Sequence, residues 1–182
     1  MIPKTQTNPY QNPWPLWVHL VLALWKGTWF LFCSWTPKFF NPVRLLTLRA
    51  FGATLLGTPF VHPKARIQVP WHLIMHHRAC LGERSVAYSL GKIEIMAGAT
   101  VAQEAYLCTA SHDFSDPSFQ LMTKKITIED DSFIGVRAMI MPGITIGRKA
   151  IVGAQSVVTK SVKPDQIVAG NPAREIGLRK SQ

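Results

Sequence analysis

From Ile128 onward an aliphatic residue returns at every sixth position: Ile128, Ile134, Ile140, Ile146, Val152 and Val158. The fifth position of each hexad is small or branched, as in Ser132, Ala138, Ile144, Ala150, Ser156 and Val162. A helix needs a period of 3.6 and a plain strand a period of two, so neither holds an unbroken period of six. A solenoid does: each hexad supplies one short flat face and a turn, and three hexads close a triangular coil. The first-position aliphatics then stack inside a prism, and Gly, Ala and Ser take the crowded corners. Upstream, Val69, Met75 and Leu81 follow the scheme less cleanly, as do Ile95, Val101 and Leu107 after a two-residue slip. From Leu107 to Ile128 the register jumps by 21 residues, three more than one coil of three hexads. An excursion therefore leaves the prism between about His112 and Met122.

The first third of the chain has a different pattern. Pro13-Trp14-Pro15 opens an apolar stretch from Leu16 to Trp35, and Pro37 closes it. His19, Lys26 and Gly27 interrupt it; His19 and Lys26, seven apart, share one face of a helix as a narrow polar stripe. The stretch approaches the roughly 20 apolar residues of a membrane span. Its interruptions favour an interfacial or re-entrant helix, with a helix packed on the protein body or a true span as alternatives. Its flanks lack the small-residue cleavage site of a signal peptide. Asn41-Pro42 starts a second short helix through Arg44, Leu45, Leu48 and Arg49 to Phe51, with Gly52 where it should stop. Both helices suit an acidic lipid surface, and they equally suit a cap on an open end of the prism. The expected division is a helical, Trp-rich extension over 1–60 and a β-helix over 61–182 with an excursion at about 112–122 and a C-terminal tail.

Composition sharpens this picture. The 182 residues are 47% hydrophobic and 16% charged, which excludes intrinsic disorder. Lys+Arg number 20 against 10 Asp+Glu, and a net charge of +10 raises the prospect of nucleic-acid binding. Its distribution argues otherwise. Residues 1–82 hold eight bases and no acid, and five of the six Trp lie between Trp14 and Trp35. A base-only, Trp-rich leader on a near-neutral body points to a membrane surface, and no nucleic-acid motif is present. Cys33, Cys80 and Cys108 are odd in number and widely spaced, which reads as buried free thiols in a reducing compartment.

Several motifs carry a resemblance: His62-Pro63 to Pro70-Trp71, Leu107-Cys108-Thr109-Ala110-Ser111-His112-Asp113, the rungs from Ile134 to Val158, and Val168-Ala169-Gly170-Asn171-Pro172-Ala173-Arg174. The chain resembles the hexapeptide-repeat acyltransferases, and with its leader and Phe51-Gly52-Ala53 it is most similar to their colanic-acid-biosynthesis O-acetyltransferase branch. The resemblance implies an all-β fold, a left-handed parallel β-helix, assembled as a homotrimer. It implies an acetyl-CoA-dependent O-acetyltransferase with no metal and no nucleic acid. The acceptor would be a sugar of an exopolysaccharide or its lipid- or nucleotide-linked precursor. The expected location is the cytoplasm, with peripheral contact to the inner face of the membrane through residues 1–40.

Within the resemblance His112 is the catalytic base, at the sixth position of a rung with its side chain outward. A neutral imidazole there can take the proton of a sugar hydroxyl as it attacks a thioester, with no Ser or Cys nucleophile. Asp113 and Asp116 are candidates to orient the imidazole or bind sugar hydroxyls, and Phe114 and Phe119 to wall the sugar. Tyr88-Ser89 stands where the family shows Tyr-Asn and is a candidate acceptor contact. Val136, Ala154, Thr159, Lys160 and Arg174 match positions that line the coenzyme groove between two subunits; Ile176-Gly177, with Arg179 further on, stand where a second base is common. His72, His76 and His77 suggest zinc of the type held by β-helix carbonic anhydrases, but Ile134-Gly135-Val136 and Ile146-Gly147-Arg148 lack that family's Gly-His step. A non-catalytic β-helix scaffold or regulator is the other alternative.

Overall fold

A computed structural model of the chain describes residues 14–113, 115–117 and 119–180, so Pro13 and Phe114 lie outside the described residues. The hexads wind into a left-handed parallel β-helix with three faces. Thr54–Leu55, Leu73–Met75, Ile93–Ile95, Ile126–Ile128 and Thr145–Ile146 form the first face. Phe60–Val61, Cys80–Leu81, Thr100–Val101, Phe133–Ile134, Ile151–Val152 and Gln166–Gly170 form the second, closed by antiparallel Ala173–Leu178. Arg66–Ile67, Val86–Tyr88, Tyr106–Cys108, Met139–Ile140 and Val157–Val158 form the third. The Thr54–Leu55 strand lies within the segment assigned to the extension.

Parallel pairing puts like on like. Leu55, Met75, Ile95, Ile128 and Ile146 lie in register down the first face. Val61, Leu81, Val101, Ile134, Val152 and Val168 do so down the second. Ile67, Ala87, Leu107, Ile140 and Val158 do so down the third. All are buried. The fifth-position residues Ala79, Ser85, Ala99, Ala105, Ser132, Ala138, Ala150 and Ser156 are buried too, filling the corners from inside. The fourth position turns each corner in the left-handed region: Arg78, Arg84, Glu104, Asp131, Arg137, Lys149 and Gln155 all have φ between 54° and 60°.

The structure corrects two readings of the repeat. Ile67, not Val69, is the stacking residue of the first coil, because the early coils advance by 20 residues (Leu55 to Met75, Met75 to Ile95) and the later one, Ile128 to Ile146, by 18. The extra pair sits at the corner between third and first faces, where Pro70–His72 make a 3-10 turn and Val69 joins Leu90 and Ala110 in a small side cluster. Leu107 and Ile128 lie on consecutive faces, so the excursion adds 15 residues to a step that takes six between Ile140 and Ile146. It is an antiparallel hairpin of Ala110–His112 and Leu121–Thr123.

Two helices, α1 (Leu16–Phe32) and α2 (Asn41–Ala50), precede the prism. One side of α1 packs on the first coil, where Trp25 and Trp29 donate their indole N–H to the carbonyls of Ile67 (2.9 Å) and Pro63 (3.1 Å). The Trp25 ring also meets Trp29 and Phe51, with centroids 5.1 and 5.2 Å away. Pro42 lies in the first turn of α2, and Gly52 follows its end at φ 86°. Arg44 of α2 is fully buried at the open end of the solenoid. Its guanidinium donates to the carbonyls of Val61 (2.8 Å), Pro37 (3.0 Å) and Lys38 (3.1 Å) and to the Thr36 hydroxyl (2.8 Å), and lies over the Phe60 ring. Carbonyl dipoles, a hydroxyl and a ring thus meet this charge without a carboxylate. Of the three thiols only Cys33 is fully buried; Cys80 and Cys108 are half-buried, and burial pushes all three up from the ordinary thiol range.

Removing the guanidinium exposes how much the open end depends on it. Arg44→Met strands the Val61 carbonyl, while the Pro37 and Lys38 carbonyls keep the Phe40 and Asn41 amides, at about 1–3 kcal/mol for one buried unsatisfied group. The expected loss is about 1–3 kcal/mol, read as a lower urea midpoint. At Gly135 an added methyl would stand 2.6 Å from the Ala154 amide nitrogen and 2.7 Å from the Val152 carbonyl oxygen, both immovable backbone. Gly135→Ala is therefore expected to lower Tm, whereas Gly27→Ala, with nothing within 4 Å, raises stability by up to about 1 kcal/mol.

Candidate active site

The hairpin leaves the edge between the third and first faces, and its base is pinned by Thr109. The Thr109 hydroxyl donates to the Tyr88 carbonyl (2.6 Å) and accepts from the Gly91 amide (2.8 Å), while its carbonyl accepts from Lys124 (2.8 Å). Around the Val69, Leu90 and Ala110 cluster pack Trp14 and Leu22 from the leader, together with Trp71 and Leu121. The hairpin is thus held by the leader as well as by the second coil.

His112 stands exposed on the first hairpin strand, outside the prism, rather than at the last position of a rung. Its Nδ1 lies 2.6 Å from the Phe119 carbonyl oxygen. A carbonyl oxygen only accepts, so Nδ1 carries the proton and, in the neutral ring, the lone pair sits on Nε2. Phe119 reaches this position with a left-handed φ of 49°, and its amide donates to the Asp116 carbonyl (2.9 Å). Backbone, not carboxylate, therefore orients the imidazole. Asp113 instead fastens the hairpin tip, where its Oδ1 accepts from the Ser115 hydroxyl (2.6 Å) and amide (2.9 Å). Those bonds, the hydroxyl's first, hold its carboxyl below the usual range. Asp116 is half-buried beside it, and the Phe119 ring is exposed.

Ser89 is buried, and its hydroxyl accepts from the Val69 amide and donates to the Val69 carbonyl, both at 2.9 Å. It closes a corner of the coil and presents nothing to a ligand, which corrects its assignment as an acceptor contact. Tyr88 faces outward on the third face beside Tyr106, with ring centroids 5.9 Å apart, and burial pushes its phenol up. It lines a cavity of about 480 Å³ between α1 and the third face. Trp25, Trp29, Phe30 and Tyr106 supply apolar wall, and Lys26 and Arg66 supply charge. Sequence reasoning missed this space because it exists only once α1 folds back on the prism.

Val136 and Ala154 occupy one corner, between second and third faces, a single coil apart. Thr159 and Lys160 occupy the next corner, on the edge from which the hairpin springs. Between these edges the third face presents Tyr106, Met139 and Val157 in register. The N–H groups of Val136 and Ala154 enter no hydrogen bond among the described residues. Lys160 and Arg174 meet at a cleft of about 250 Å³ near the C-terminal end, shared with Val158, Val168 and Glu175. Arg179 does not join them, since its guanidinium donates to the carbonyls of Asp131 (3.1 Å) and Lys149 (3.4 Å). The three histidines of the leading coils disperse. His72 Nδ1 donates to the Ser89 carbonyl, His76 pairs with Glu94 (3.1 Å), and His77 Nδ1 lies 3.2 Å from the Thr58 hydroxyl.

Comparison with known proteins fits this geometry. Residues 125–160 match the family model described as the hexapeptide repeat of succinyl-transferase. The colanic acid biosynthesis acetyltransferase WcaF of Escherichia coli is 33% identical over 152 residues, 84% of either chain. A maltose O-acetyltransferase structure from Clostridium difficile superposes with a TM-score of 0.79 at 26% identity, covering 92% of this chain and 90% of that one. A hexapeptide-repeat acetyltransferase from Vibrio cholerae, complexed with acetyl coenzyme A, superposes with a TM-score of 0.82 at 23% identity over 94% of each chain.

The imidazole geometry has a direct spectroscopic consequence. In ¹⁵N-edited long-range spectra, neutral His112 is expected as the Nδ1–H tautomer. Observing the Nε2–H form would mean that the Phe119 carbonyl does not hold the ring in solution.

Proposed function

Since the chain belongs to the hexapeptide-repeat acetyltransferases, we propose that it moves the acetyl group of acetyl-CoA to a sugar hydroxyl of an exopolysaccharide or its precursor, with His112 as general base. The observation that carries this reading is the His112 imidazole, fixed by the Phe119 carbonyl with its Nε2 lone pair turned outward. His112 takes the acceptor hydroxyl proton as the oxygen attacks the thioester carbonyl. A C–O bond forms, the C–S bond breaks, and the imidazolium returns its proton to the departing sulfur. The Phe119 carbonyl favours the transient imidazolium by keeping its bond to Nδ1–H. A Val136 or Ala154 N–H suits the developing oxyanion.

The donor fits the outer surface of the third face. Tyr106, Met139 and Val157 form an apolar strip for a pantetheine arm, with Thr159 on its rim. Lys160 and Arg174, together at the C-terminal cleft, suit phosphate groups, which Arg in particular binds through paired N–H donors. Asp113, Asp116 and Tyr88 are the proposed acceptor contacts, and Ser89 is left out. In this reading a homotrimer presents the hairpin of one subunit to the donor surface of its neighbour. The sugar is carried on a nucleotide or a lipid in the cytoplasm, where residues 1–40 meet the membrane.

Following thiol release with acetyl-CoA and a panel of glycosides tests the assignment. His112→Ala is expected to lower kcat by about 10²–10⁴-fold with little change in KM for acetyl-CoA. If the variant released CoA at the wild-type rate with every acceptor, His112 would not be the base. Lys160→Ala and Arg174→Ala should instead each raise KM for acetyl-CoA about tenfold and spare kcat, the size of one charge-assisted hydrogen bond.

A further inference from the structure

Of the eighteen large hydrophobic side chains that are exposed among the described residues, twelve lie between Leu16 and Leu46. On α1 five of the seven share one arc. At 100° per residue, Leu16, Trp17, Leu20, Leu24 and Leu31 cover about 100° of the helix circumference. That arc faces away from Val18, Trp25 and Trp29, the buried side. His19 and Lys26 run along one border between the two. Phe32, Trp35 and Phe39 are exposed too, as are Val43 and Leu46 on the side of α2 opposite Arg44, Leu45 and Leu48. Leu20 and Leu24 are each 63% exposed, a cost that soluble surfaces seldom carry in a contiguous patch.

We propose that this face, the outer sides of α1 and α2 with the turn between them, docks the protein on an anionic lipid surface. Charge selects the occupant. Lys26, Lys38 and Arg49 are exposed around the patch, and no carboxylate occurs before Glu83. A second copy packed on the same face would set these bases against each other, whereas anionic headgroups would neutralise them. Trp17 and Trp35 are of the type that settles at the headgroup boundary, and Phe39 adds apolar surface. No helix among the described residues is long and apolar enough to cross a membrane, so the attachment lies on the bilayer. Because Trp14 and Leu22 also pack on the hairpin base, docking holds the His112 hairpin close to the lipid surface. The use of that proximity, reaching a sugar presented on lipid, rests on the acetyl-transfer reading; the docking itself does not.

The test is sedimentation of the full chain with vesicles of phosphatidylcholine alone, or containing about a quarter phosphatidylglycerol. The protein should sediment with the mixed vesicles, and several-fold less with the neutral ones or at high salt. Leu20→Glu/Leu24→Glu should reduce the bound fraction about tenfold while leaving its mass in solution and its thiol release with a water-soluble acceptor unchanged. Lys26→Glu/Lys38→Glu should abolish the preference for anionic vesicles. The proposal fails if the wild type stays in the supernatant with both vesicles, or if Leu20→Glu/Leu24→Glu binds as well as wild type. It fails too if that variant instead splits an oligomer, which would make the face a contact between copies. Vesicle binding without thiol release from any acceptor would sink the acetyl-transfer reading alone.

Discussion

Every feature of this protein depends on one steric constraint: each coil must lie directly over the previous one. Parallel pairing repeats the same positions along the prism, so an interior residue sees its own counterpart above and below. A branched aliphatic fits that stack, and a change of period does not. The constraint reaches the corners, where the fourth residue of the hexad must turn left-handed although Arg, Glu, Lys and Gln disfavour that region. The strain is tolerated at so many positions because burial of the fifth residue and the ladder of backbone bonds fix the turn from both sides. Gly135 and Gly147 show the same pressure from the next coil, whose backbone passes within 2.7 Å of where a methyl would be.

A stacked prism solves its interior and leaves its ends. The first coil would expose the Val61 carbonyl and its neighbours, and no earlier coil is there to cover them. Arg44 meets the Val61 carbonyl with one planar group whose other donors tie it to the Thr36 hydroxyl and the Pro37 and Lys38 carbonyls. Lysine, a point charge with donors in a different arrangement, does not reproduce this fan of bonds. At the far end, Ala173–Leu178 folds back antiparallel on the second face and covers its last parallel strand. The same turn carries Arg174 to the cleft that it shares with Lys160.

These constraints explain what the sequence could reveal. From Ile128 to Val158 the spacing never varies, so period alone identifies the interior of the later coils. In the early coils two extra residues enter at one corner, and Val69 is as aliphatic as Ile67; only the pairing of Ile67 with Ala87 separates them. The length of the excursion was obscured for the same reason, since a run of 21 residues reads as a coil with a small insertion unless the faces are known. At the site, a histidine after Thr109-Ala110-Ser111 is legible from its type and setting. Its partner is not, because any residue offers a carbonyl and only the left-handed backbone at Phe119 aims this one. Ser89 misleads in the opposite way: a hydroxyl of suitable chemistry is consumed by the Val69 backbone.

The contrast between repeat and excursion bears on how such a chain acquires chemistry. Inward positions are committed to stacking, and a short strand offers only one or two outward positions per face and coil. A base that needs both a fixed tautomer and open solvent around its second nitrogen finds neither condition inside the prism. The hairpin supplies both: pairing with Leu121–Thr123 holds the backbone, and the tip returns a carbonyl to Nδ1. Its cost is a lever projecting from a corner, and that lever is steadied by Thr109 below and by Trp14 and Leu22 of the leader beside it. The leader therefore cannot be regarded as an independent anchor. One side of α1 completes the packing under the proposed base while the other remains apolar and uncovered, so whatever binds that outer side bears on the element that positions His112.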